Sequence, residues 1–285
     1  VPSNIFMAIL SKRAEAVQES ATLAIGAQAK ALKAKGKPVI DFSLGEPDFP
    51  TPRRVKKAAI HAIKHNFTYY TAAGGISELK QAVVTKLQCD NGLTYSPEQI
   101  LISHGAKHSI MNIFFGLLNK GDEVIIPAPY WTSYPEMVKL ADGVPVFCET
   151  DAGFHLTAAL VEKKITKKTK ILIMNSPSNP TGAVIPKEEL EKIAVLCIKK
   201  NIFVGSDEVY EFFFYDNHKN PSIASFSKES ISDLLVDGAT DAKVTAATSP
   251  QHALNPADLV HSVKAAVAEG NYVKAEDALN ILQQS

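Results

Sequence analysis

The chain has 285 residues, 46% of them hydrophobic and 21% charged, with 30 basic and 30 acidic side chains and a formal net charge of zero. This is the composition of a globular protein with ample core-forming residues, planned as one large domain plus a smaller unit. A balanced charge without a dense Lys/Arg block argues against nucleic acid or an anionic membrane as the main partner, and no apolar run reaches bilayer length.

In chain order, short β-branched runs bounded by turn residues alternate with helical patterns, which is the signature of an α/β layer fold with a mainly parallel sheet flanked by helices. Residues 1–10 lack the basic leader and cleavage pattern of a secretory signal. Helices are predicted over 75–89, 107–118, 134–140 and 187–200, and strands over 100–103, 123–126, 144–148, 170–174 and 202–206. In the helix over 187–200, Leu190, Ile193, Ala194 and Cys197 fall at i, i+3, i+4 and i+7, an apolar stripe opposite lysines and glutamates. The lysine-rich stretch 163–170 reads as solvated surface. After Asp233 the texture changes: an Ala/Thr/Ser/Asp-rich stretch leads into a helical pair over 256–269 and 272–284, with Asn255 as cap, Pro256 in the first turn and Gly270-Asn271 closing the first helix. Its apolar faces, Leu259 and Val263 on one helix and Val273, Leu279 and Leu282 on the other, suit packing on the chain's own sheet or docking on another protein. Cys89, Cys148 and Cys197 are far apart and lack metal-ligand spacing, so they read as buried reduced thiols of a cytoplasmic protein.

Polar motifs fall at the predicted strand ends, where ligands of open α/β sheets collect. Ser103-His104-Gly105-Ala106-Lys107 joins a strand to a helix through small residues, either as a backbone cradle for phosphate or as a plain turn. Pro129-Tyr130-Trp131 sets the only tryptophan of the chain at a strand end, suited to core packing or to stacking on a flat ring. Asn175-Ser176-Pro177-Ser178-Asn179-Pro180-Thr181-Gly182 leaves a buried strand and turns sharply, with Asn175 read as a stabiliser of that turn. Asp207 follows the apolar run Ile202-Phe203-Val204-Gly205, where a carboxylate needs donors or a cation, and a protonated heterocyclic nitrogen is a partner of the right kind. Structural capping is the alternative for Asp207.

Read together with Leu44-Gly45-Glu46-Pro47-Asp48-Phe49-Pro50-Thr51-Pro52, Tyr70-Thr71-Ala72-Ala73-Gly74-Gly75 and Asp207-Glu208-Val209-Tyr210-Glu211, these motifs resemble the class I aminotransferases of the aspartate aminotransferase type. These are pyridoxal-phosphate enzymes of fold type I. The resemblance implies a cytoplasmic homodimer acting on an amino acid and a 2-oxo acid. It implies an N-terminal segment at 1–45 belonging to the small domain, a cofactor-binding large domain at 46–232, a divergent helical segment at 233–285 and a small domain that is incomplete. By the same resemblance Asp207 holds the pyridine nitrogen protonated, Tyr210 and Asn179 bind the ring hydroxyl, and Trp131 stacks on the ring. Gly105, Ala106 and Lys107 take the phosphate, and Tyr70 reaches the phosphate of a partner subunit. Gly45, Trp131 and Asn179 lie toward the substrate, and no metal is implied.

The family's catalytic lysine forms a Schiff base with the cofactor and then moves a proton at the substrate α-carbon. Val236-Asp237-Gly238-Ala239-Thr240-Asp241 resembles the segment that carries it, and that register puts Asp241 at the lysine position. Lys243, two residues on and on the same face of an extended segment, is the candidate catalytic residue. The family's later arginines have no counterpart, since Arg13, Arg53 and Arg54 are the only three in the chain, and lysine lacks their planar fork. Two functions follow: a working aminotransferase with an unconventional carboxylate site, or a truncated relative that binds cofactor or a protein partner without catalysis.

Overall fold

Apolar runs flanked by helical stripes pair side by side in one direction, and this pairing organises the molecule. The computed structural model describes residues 11–18, 21–43, 45, 49–215 and 221–226. Among the described residues five α-helices come first: α1 (Lys12–Glu15), α2 (Ala21–Ala34), α3 (Arg53–Lys64), α4 (Ser77–Asn91) and α5 (Ala106–Leu117). Strands and helices then alternate through β1 (Glu123–Ala128), α6 (Ser133–Leu140), β2 (Val144–Glu149), α7 (Ala158–Glu162), β3 (Thr169–Asn175), α8 (Lys187–Lys200) and β4 (Phe203–Asp207).

The sheet order is β2-β1-β3-β4 and every pairing is parallel. Val124, Ile125 and Ile126 of β1 are all fully buried, as expected of a strand covered on both faces. Val124, Ile126, Ile171 and Ile173 face one way, into a cluster with Ile113 and Phe114 of α5 and Met137 and Val138 of α6. Ile125, Leu172, Met174 and Val204 face the other, against Leu190, Ile193, Ala194 and Cys197 of α8. The stripe read from the sequence is therefore the face that α8 buries. That helix carries Glu188 and Glu189 in its first turn and Lys199 and Lys200 in its last, complementing its dipole, and Asn201 closes it in the left-handed region at φ 54°.

Strand order decides where a site can form. From β1 the chain moves outward to β2, then crosses back to β3 on the other side of β1 and continues to β4. The loops leaving β1 and β3 thus diverge above neighbouring strands, opening a crevice at their carboxyl ends.

Two expectations are corrected. The strand expected over 100–103 does not form among the described residues: the segment is extended at Ile100 and joins no ladder with any of them. Its Ile102 N–H donates to the Gly74 carbonyl at 3.0 Å, and Ile100 and Ile102 pack with Val83, Leu87 and Ala224 rather than along a strand. A β-branched run forms a strand only where another edge offers it a ladder. Gly75, at φ 103°, permits this close approach, because a Cβ there would stand 2.3 Å from Ile102. Cys89 is exposed on α4, whereas Cys148 and Cys197 are buried and all three are unpaired. The helical pair expected over 256–284 lies outside the described residues. No described helix is long and apolar enough to cross a membrane.

Candidate functional site

Each polar motif at the crevice is delivered by a different element. Gly105 precedes α5 at φ 84° and ψ 165°, a conformation that only glycine adopts without strain. No side chain caps α5 and no acidic residue lies in its first turn, so the Ala106 and Lys107 N–H groups and the positive end of the helix dipole face outward together. Lys107 turns its ammonium over the Trp131 ring, 4.7 Å from the centroid.

Trp131 leaves the end of β1 and meets Tyr134 edge-on, with ring centroids 5.4 Å apart at 87°. Tyr134, 3% exposed, begins the buried face of α6 and donates its hydroxyl to Asp207 Oδ2 at 2.6 Å. Asp207 closes β4 and is itself 4% exposed. Burial pushes its carboxyl above the ordinary value of 3.8, the Tyr134 hydroxyl and then the Val209 N–H pull it back, and neighbouring Glu208 adds a smaller upward push. The Val209 bond is long, at 3.3 Å, so Tyr134 is the principal donor.

Asn175, paired with Asp207 across the β3–β4 ladder, ties the crevice to the neighbouring loop. Its Nδ2 donates to the Asp207 carbonyl at 3.0 Å, and its Oδ1 accepts the Asn179 N–H at 2.6 Å. The asparagine read as a turn stabiliser thus also cross-links two strand ends. Lys107, Trp131, Tyr134, Asp207, Asn175 and Asn179 form one continuous chain of contacts. Beside it lies a cleft open to solvent, lined by Tyr130, Tyr134, Asn175, Asn179 and Thr181 among others. Tyr210 follows on the turn after β4, half-buried and edge-on to Phe213 at 5.9 Å.

Other expected site residues stand apart. Tyr70 projects fully into solvent, and Gly45 is exposed with nothing within 4 Å of where a Cβ would stand. Lys243 and Asp241 lie outside the described residues. Tyr134 was missed by sequence reasoning, which placed it only at a helix start. The available signal was its spacing of three from Trp131, which sets both on adjoining turns, and a hydroxyl on an otherwise apolar helix face.

A buried carboxylate with no cation beside it among the described residues fits a protonated ring nitrogen. An uncapped helix start fits a phosphate, and an indole at the crevice fits a flat ring. The residues present therefore suit pyridoxal phosphate.

Fold and site together define an α/β protein of the fold type I class, with a crevice at the carboxyl ends of a parallel sheet. Residues 37–241 match the family described as aminotransferase class I and II, and the chain belongs to that family. It is 43% identical to an aspartate aminotransferase of Bacillus sp. (strain YM-2) over 258 residues, which is 90% of this chain and 66% of that one. A probable aspartate/prephenate aminotransferase of Aquifex aeolicus is 46% identical over 222 residues, 77% of this chain and 56% of its own. The structure of Thermus thermophilus aspartate aminotransferase with maleate superposes with a TM-score of 0.74 at 42% identity, covering 77% of this chain and 58% of that one. The chain thus spans between about half and two thirds of the length of these relatives.

Proposed function

We propose that the protein binds pyridoxal phosphate and transfers an amino group between an amino acid and a 2-oxo acid. The observation that carries this reading is Asp207, a buried carboxylate at a strand end, held by the Tyr134 hydroxyl and lying in one contact network with the residues beside the α5 N-terminus. Bound there, pyridoxal phosphate supplies an electron-withdrawing ring that stabilises charge developing at the α-carbon of an amino acid. Asp207 keeps a proton on the ring nitrogen, and Tyr134 keeps Asp207 anionic enough to do so. Ala106 and Lys107 present N–H groups to the phosphate, and Gly105, whose own N–H donates to the Ser103 carbonyl, turns the chain so that they can. Trp131 covers a ring face and excludes water, and Asn179 and Tyr210 hydrogen-bond the ring oxygen. Gly45 lies toward the substrate carboxylate, together with Trp131 and Asn179. Lys243 moves the proton at the α-carbon.

We assign the protein to the cytoplasm, in keeping with its three unpaired cysteines, and to a homodimer in which Tyr70 reaches the partner's site. The full exposure of Tyr70 and the partial exposure of Ile60 and Ile63 on α3 support the dimer. A second reading, cofactor binding without catalysis, is favoured by one observation. The family match ends at Asp241, where the resemblance calls for lysine.

The absorbance spectrum with pyridoxal phosphate, followed by borohydride reduction and peptide mapping, separates these readings. A visible-range band and a reduced adduct at Lys243 support the enzyme. Saturable binding with no lysine adduct supports the second reading, and no binding at all overturns both.

A further inference from the structure

The turn that follows β4 is held on both sides of Tyr210 by buried carboxylates. Glu208, 9% exposed, accepts the Ser206 hydroxyl at 2.8 Å and the Ser222 hydroxyl at 2.7 Å. Glu211 reaches the opposite way, to α4. One of its oxygens pairs with the Lys86 ammonium, the other accepts Asn91 Nδ2 at 3.0 Å, and Lys86 donates to Asn91 Oδ1 at 2.9 Å, which closes a triangle. The Lys86 and Glu211 side chains are 6% and 11% exposed, and the Phe212 ring lies 5.4 Å from the ammonium. Between the two anchors the Glu211 N–H donates to the Glu208 carbonyl, and the Phe213 N–H to the Tyr210 carbonyl, both at 2.9 Å.

Stability is a weak reason for such an arrangement. Replacing a buried ion pair by apolar side chains of similar volume is commonly neutral or stabilising, because desolvation of both charges offsets their attraction. What an apolar contact does not provide is a single register. The triangle's hydrogen bonds are directional and are satisfied in one placement of the turn against α4, whereas a greasy contact tolerates sliding by an ångström or so. Tyr210 is the residue next to Glu211 and two from Glu208, so its backbone is the part of the turn with least freedom.

We propose that Lys86, Asn91 and Glu211 are positioning residues that fix Tyr210 at the cofactor crevice. This rests on the reading of Tyr210 as a ligand of the cofactor's ring oxygen, which supplies the reason for holding it so tightly.

The test compares the whole chain with the Lys86→Met/Glu211→Leu double variant, with Tyr210→Phe and with the triple variant. The double variant removes both charges of the pair together, so its melting temperature should stay within a few degrees of wild type. Without cofactor, hydrogen exchange of the peptide spanning 208–213 should rise by about tenfold or more. The dissociation constant for pyridoxal phosphate should rise about tenfold in the double variant but scarcely further when Tyr210→Phe is already present, the non-additivity expected of residues acting through one group. Unchanged exchange at 208–213 overturns the proposal, and so does an equal loss of affinity in both backgrounds. If Tyr210→Phe binds like wild type, or if wild type does not bind at all, the cofactor reading of Tyr210 fails instead, and the exchange experiment alone decides whether the clamp exists. Should the double variant fail to fold, Asn91→Ala opens the triangle while leaving the ion pair. It should raise exchange in the same peptide, and no rise there would overturn the clamp.

Discussion

A carboxylate out of water needs a partner, and Asp207 has chiefly one, the Tyr134 hydroxyl. Because burial raises the Asp207 pKa above the ordinary 3.8, the folded state holds its proton more tightly than the unfolded chain does. The stabilising contribution of this group is complete below that value and is lost as pH rises through the folded pKa. Asp207→Asn removes the charge, so without cofactor the variant should be at least as stable as wild type at pH 8, while binding pyridoxal phosphate about 10- to 100-fold more weakly. Denaturant unfolding and spectroscopic titration read the two effects separately; unchanged affinity would count against Asp207 as the ring-nitrogen partner. Tyr134→Phe acts with the opposite sign on stability, stranding the carboxylate at a loss of about 1.5–3 kcal/mol where Asp207 is ionised. That loss should shrink on acidification toward pH 4, and a pH-independent difference would assign Tyr134 to packing alone. At this scale Asp207 was legible because it interrupts an apolar run. Tyr134 was not, because its partner lies 73 residues away in the chain.

Elements were legible where their pattern depends on one face. The stripe of α8 was placed correctly because four residues at helical spacing leave one way to bury them. Ile193 is fully buried against the sheet, so Ile193→Ala should destabilise by about 2–5 kcal/mol, measured by urea unfolding; a loss below 1 kcal/mol would mean the face repacks. On the same helix, burial pushes the Cys197 thiol up to about 12, and it raises Cys148 as well. In native protein at pH 8 a thiol reagent should therefore label Cys89 rapidly and the other two only after unfolding. Rapid labelling of all three would contradict the packing of α8. The segment over 100–103 shows the limit of local pattern: its composition suits a strand, but a strand exists only where a second edge donates and accepts along it.

At the scale of the molecule, the order β2-β1-β3-β4 creates the crevice, and the exposed Ile60 and Ile63 of the otherwise basic α3, with Tyr70 beyond it, suit the second subunit proposed above. Sedimentation should find a particle of two chains, and Ile63→Asp should shift it toward one; a monomeric wild type would sink the dimer. The sequence by itself determined the layer architecture and the residue types at the strand ends, because hydrophobic period and turn chemistry are local and survive without knowledge of partners, while its motifs carried the resemblance to the family. The tertiary structure alone decided that Tyr134 reaches Asp207, that Asn175 joins two loops, that residues 100–103 pair with no described strand, and that Lys86 meets Glu211 across 125 residues. Those contacts depend on which elements the crossovers bring side by side, and hydrogen bonds between distant residues leave no periodic trace in the chain.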